Sequence, residues 1–146
     1  MPNEAPAPSA SAQPQRGALL STIAVLLGLQ AISHLTMFAL HMWRPKLGVV
    51  FLGARFHSIP GNLVVGGALG AVLTAYAYGL WKLKAWVVPI AAGYALYMPV
   101  NLTVYWFLHP EIAQDRVFFW LAYHVVLLLG FVGAGLHVIQ HRDRFQ

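Results

Sequence analysis

Two histidines and an asparagine, His34, Asn101 and His124, are the residues best equipped for chemistry in this sequence. Each sits deep in a long run without Lys, Arg, Asp or Glu. Ionisable side chains at such depth are rare unless they face a bundle interior or a polar pathway. At about 100° per residue on a helix, Tyr94, Tyr97, Asn101 and Tyr105 fall within roughly an 80° arc, and Gln30, His34, Met37 and His41 within roughly 60°. Pro99 lies inside the first stripe, where it strips the Ala95 carbonyl of its helical partner. Taken from run midpoints near residues 30, 97 and 128, His34, Asn101 and His124 are each about four residues off centre, roughly 6 Å from the midplane. Because successive helices alternate in direction, all three are displaced toward the leaflet of the first loop, with His41, Asn62 and Tyr105 closer to that loop.

Three chemistries fit this cluster. Interhelical hydrogen bonding is the simplest, at ~0.6 kcal/mol per contact on average. In the second, His34, His41, Tyr97, Asn101, Tyr105 and His124 line a pocket on the loop-1 side that takes an amphipathic ligand. In the third, His34 and His124 hold haem, a metal ion or a quinone-like ligand, since neutral imidazole is a common ligand for both haem and metals. The simplest expectation is no cofactor, with haem or a metal ion as the alternative. His137 and His141 share a helix face at i, i+4, but they lie beside Arg142 and Arg144 at a helix end, where a snorkelling basic terminus explains them.

Several activities are excluded. The only acids are Glu4, Glu111, Asp115 and Asp143, none within an apolar run, so carboxylate-driven proton coupling and hydrolytic triads lack their acid. Gly66 to Gly70 has no following Lys-Ser/Thr and is no phosphate loop. The absence of cysteine removes disulfides, thiolate metal sites and Cys redox relays. The expected role is non-enzymatic, a small membrane subunit or binding module; the alternative is a membrane redox protein or enzyme at the His34/His124 cluster.

The elements that must position these residues follow from composition. The chain is 59% hydrophobic and 9% charged, against about a quarter charged for soluble domains. The charge-free runs Gly17 to Trp43, Phe56 to Trp81, Ala85 to Leu108 and Val117 to His141 each exceed the ~20 residues of a spanning helix. They do not alternate as barrel strands do. The expectation is an all-α integral membrane protein, an antiparallel four-transmembrane-helix bundle in one domain, 17–146, with helices near 18–42, 60–81, 86–108 and 117–140. Residues 1–16, rich in Pro, Ala and Ser, read as a disordered tail. A cleaved signal peptide ending near Ala31-Ile32-Ser33 is the competing view, opposed by the apolar run continuing through Leu40.

The connections carry the remaining signals. The first loop mixes Arg44, Lys46 and Arg55 with Val49, Val50, Phe51 and Leu52 and reads as an interfacial amphipathic turn. Ser58-Ile59-Pro60-Gly61 starts the second helix. Lys82-Leu83-Lys84 forms a tight hairpin between Trp81 and Trp86, with Trp43, Trp106 and Trp120 as the second aromatic belt. Gly66 with Gly70, and Gly130 with Ala134, are small-residue packing faces that could meet another copy or a larger membrane complex. The bilayer is the expected partner. The charge of +5 needs no nucleic acid, because the cations sit at helix ends. Arg16, Lys82, Lys84, Arg142 and Arg144 on one side, against Arg44, Lys46, Arg55 and Arg116 on the other, place both termini in the cytoplasm.

Overall fold

The computed structural model describes residues 17–110 and 117–146. The expected tail, 1–16, and the Glu111 to Arg116 link lie outside the described residues, as do the side chains of Val117, Phe119, Trp120 and Tyr123. Four long helices, α1 (Ala18–Trp43), α2 (Ile59–Trp81), α3 (Val87–Leu108) and α4 (Val117–Gln140), carry the fold. Between α1 and α2 lies a small antiparallel hairpin of β1 (Val50–Phe51) and β2 (Ala54–Arg55), and a 3-10 turn at Arg142–Arg144 follows α4.

Helices α1, α2 and α3 are each long and apolar enough to cross a membrane. The 22 residues of α3 extend about 33 Å, against a hydrocarbon core of about 30 Å. Their outward faces are apolar: Val64, Leu96 and Phe107 are 69%, 70% and 80% exposed, and Leu129 on α4 is 71% exposed. Patches of this kind cannot face water without association, so bilayer is the solvent that suits them.

Helices α1 and α2 form one closely packed pair and α3 and α4 another, while α2 and α3 touch much less. On α1 the buried residues Leu20, Ala24, Leu27 and Ala31 recur at four, three and four, the seam that lets two helices interlock along their length. Opposite them, Gly66 and Gly70 of α2 let the backbones close: a Cβ at Gly66 would stand 2.7 Å from the His34 carbonyl oxygen, and one at Gly70 would stand 2.6 Å from Leu35 Cγ and 3.3 Å from the Ala31 oxygen. The α2 glycine face is therefore occupied by α1 of the same chain. In the second pair the close contact is not at Gly130, where a Cβ would meet nothing within 4 Å, but at Gly135, where it would stand 2.6 Å from Ala95 Cβ and 3.0 Å from the Ala91 oxygen. The Gly130–Ala134 face instead borders open space inside the protein.

The far end is tied off by backbone bonds. Helix α2 stops in a Schellman-type turn, with Leu83 N–H donating to Leu80 O (3.3 Å) and Lys84 N–H to Gly79 O (2.9 Å). Leu83 takes the left-handed conformation, φ +50°, that glycine usually supplies, and its side chain is buried in the core. Gln146 pairs with this loop in both directions: Ala85 N–H donates to Gln146 O at 2.9 Å and Gln146 N–H to Leu83 O at 2.7 Å. Phe145 is buried beside it, so the basic end after α4 and the lysine loop occupy the same end of the molecule.

Replacing Gly66 with alanine forces a methyl group onto backbone, and overpacking of this kind costs roughly 1–3 kcal/mol. The expected outcome is a lowered thermal midpoint for Gly66→Ala in detergent and no loss for Gly130→Ala.

Candidate functional site

The first loop is where the fold departs most from the sequence expectation. It folds as a hairpin with register Val50↔Arg55 and Phe51↔Ala54. Its two-residue turn, Leu52-Gly53, has positive φ at both positions, +47° and +78°. That geometry suits a tight β-hairpin because its twist matches the strands. Glycine is required at position 53: a Cβ there would stand 2.5 Å from Val104 Cγ1 and 2.9 Å from the Tyr105 nitrogen. The hairpin tip is thus pressed against α3.

Buried non-helical backbone needs its polar groups satisfied within the protein. Two asparagines do this. Asn62, 1% exposed in the first turn of α2, accepts Val49 N–H at 2.7 Å and donates from Nδ2 to the Phe56 and Ser58 carbonyls at 3.0 and 2.9 Å. Asn101 on α3 accepts Gly53 N–H at 3.2 Å. Phe56 N–H donates to Val49 O at 3.0 Å across the hairpin base. Aromatic contacts complete the seat: Phe51 stacks on Tyr97 with ring centres 5.8 Å apart, and Arg55 donates to the Tyr105 hydroxyl.

Held between α2 and α3, the hairpin forms one wall of a cavity of about 770 Å³. All four helices contribute to the rest, with mainly apolar walls from residues such as Leu27, Leu73, Met98, Leu127 and Phe131. Of the residues expected at a site, His34, Tyr97, Asn101, Tyr105 and His124 all line this cavity, as do Gln30 and Met37. His41 does not: it is buried outside the lining and donates from Nδ1 to the Leu47 carbonyl at 2.6 Å, fastening the start of loop 1. Gly130 and Ala134, expected as packing residues, also border the cavity. Arg55, read from sequence only as an interfacial cation, is part of the wall. Among the described residues, none of the Lys82-Leu83-Lys84 loop and no carboxylate belongs to the lining.

The two histidines differ in environment. His124 accepts the Trp106 indole N–H on Nε2 at 2.5 Å, with the rings edge to face. The half-buried Trp106 indole thus engages the His124 Nε2 lone pair. His34 Nδ1 is buried without a hydrogen-bond partner, and so are Tyr97 Oη and Arg55 Nε. All three atoms belong to cavity-lining residues. Among the described residues no group of three His, Cys, Asp or Glu side chains comes together. His137 and His141 stack 4.2 Å apart at the opposite end of α4, with His141 Nδ1 donating to the His137 carbonyl at 2.9 Å, as a helix end does.

No protein-family model matches the chain, and no curated protein or solved structure compared with it does either.

If the asparagines support the hairpin, Asn62→Ala leaves at least one buried N–H and one carbonyl unsatisfied, at roughly 1–3 kcal/mol each. The expected outcome is a larger loss of thermal stability than for Asn101→Ala, which frees one N–H. Faster hydrogen exchange in the peptide spanning 47–57 should accompany it.

Proposed function

We propose that this chain is a small integral membrane protein of four spans, α4 being the fourth, that binds one amphipathic molecule in its central cavity and performs no chemistry on it. One observation carries this reading: among the described residues, the buried polar atoms without a partner all belong to a single, mostly apolar cavity. Its volume lies within the roughly 300–1,000 Å³ typical of small-molecule sites. The mostly apolar walls favour an occupant that is apolar over most of its length. Asn62 and Asn101 belong to the scaffold in this reading, and Arg55, His34 and Tyr97 to the site.

Association with a second copy through Gly66 and Gly70 loses its basis, because α1 covers that face. A haem bridging His34 and His124 would have to displace the Trp106 indole from His124 Nε2 or use the other ring nitrogen. Both termini lie on the cytoplasmic side in this proposal, with the lysine loop; the hairpin and the mouth beside it face the opposite leaflet.

Native mass spectrometry of protein purified in a neutral detergent is expected to show one apolar adduct per chain. Gly130→Trp, which projects an indole into the cavity from a position with free space around it, should remove the adduct and leave the thermal midpoint close to the parent's. Absence of any adduct, in protein also challenged with added lipids, would defeat the binding reading. A Soret band on supplying haem would move it to the histidine pair.

Topology is testable because the chain has no native cysteine. Single cysteines at Lys84 and Arg142 should react with an impermeant maleimide from one side of the membrane, and one at Lys46 from the other.

A further inference from the structure

Resting on the cavity reading above, we propose that the ligand carries an anionic oxygen head, a carboxylate or phosphate on a long acyl or alkyl chain, and that Arg55 binds that head. Arg55 projects from β2 into the cavity wall. Its guanidinium donates to the Tyr105 hydroxyl and lies over the Tyr105 ring, Cζ 5.3 Å from the centroid. Both contacts are with a neutral group. Among the described residues its Nε is buried and has no partner, and no carboxylate lines the cavity. Arg55 is half-buried and faces no carboxylate among the described residues of the cavity, so an anion at that position would supply a counter-charge that a neutral carbonyl would not.

Two further polar atoms of the same cavity, Tyr97 Oη and His34 Nδ1, are buried and unpartnered among the described residues. Arginine presents several N–H groups in a fixed plane that matches carboxylate and phosphate oxygens. The chain of the ligand would run from this head along Met98, Leu127 and Phe131, away from the hairpin. A quinone-like head offers only neutral acceptors and leaves the Arg55 charge unmatched, so the arginine separates the two ligand classes.

The test is a titration of the full chain in neutral detergent, read by native mass spectrometry, with four probes of one chain length: palmitate, hexadecyl phosphate, methyl palmitate and hexadecanol. Palmitate, hexadecyl phosphate or both should bind at least tenfold more tightly than the two neutral probes. Arg55→Gln should erase that preference while leaving neutral-probe binding in place, Arg55→Lys should retain part of it, and the exposed Lys46→Ala should leave it unchanged. Which anion binds more tightly assigns the head as carboxylate or phosphate. Equal binding of all four probes, unaffected by Arg55→Gln, would overturn the anionic head and leave the cavity reading standing. No binding by any probe would defeat both. Inorganic phosphate competing in the same concentration range as hexadecyl phosphate would overturn the proposal in favour of a small-anion site. Should Arg55→Gln fail to fold, hydrogen exchange on the parent chain decides: palmitate must slow exchange in the 47–57 peptide and not in the 81–86 loop, and the reverse pattern would place the head elsewhere.

Discussion

A short piece of non-helical backbone inside a bundle of apolar helices is the constraint on which this molecule depends. Every N–H and C=O of loop 1 that leaves water must find a partner in the protein, because lipid offers none. Asn62 meets this by acting at once as acceptor for Val49 and donor to Phe56 and Ser58. Few side chains can do both from one position; an amide can. The Ser58 hydroxyl meanwhile accepts Gly61 N–H at 3.1 Å and caps α2, so the hairpin base and the start of the helix are fixed by the same few residues. Asn101 repeats the service at the tip from the opposite helix.

The hairpin in turn explains why the bundle is not closed. Helices α1 and α2 approach until glycines meet backbone, and α3 and α4 do the same through Gly135. The two pairs are joined at the lysine loop by bonds among Leu83, Ala85 and Gln146. At the other end a folded strand pair stands between α2 and α3, and the volume between the pairs remains as the cavity. A protein built only to pack would have filled it with larger side chains at Gly130 and Ala134; this one lines it with small residues there and polar ones opposite.

Much of this was legible in the residues. Charge-free runs mark the helices because charge is costly in hydrocarbon, and the Tyr94, Tyr97, Asn101 and Tyr105 stripe marks the inward face of α3 because four polar tips have no place in lipid. Loop 1 was not legible as a hairpin. Its turn, Leu52-Gly53, has leucine where Asn, Asp or Gly would announce a tight turn, and two-residue strands are too short for alternation to register. Only Gly53 after the β-branched pair Val49-Val50 hinted at it. The α4 packing face was misread for another reason. Gly130, Gly133, Ala134 and Gly135 lie almost consecutively, so small residues point all round the helix there and spacing alone cannot select the side that meets α3.

Arg55 shows most clearly what sequence position conceals. In the chain it is one cation of three in a loop, and loop cations beside membrane helices ordinarily serve topology and lipid headgroups. Folding reverses that role: the register Val50↔Arg55 carries it onto the inner side of the hairpin, over Tyr105 and against the cavity. A shift of one residue in that register would send every strand side chain to the opposite face and return the arginine to the outside. The clamps at Asn62 and Asn101 hold the backbone that sets the register. The same two asparagines that satisfy the hairpin backbone therefore also decide which way its one cation points.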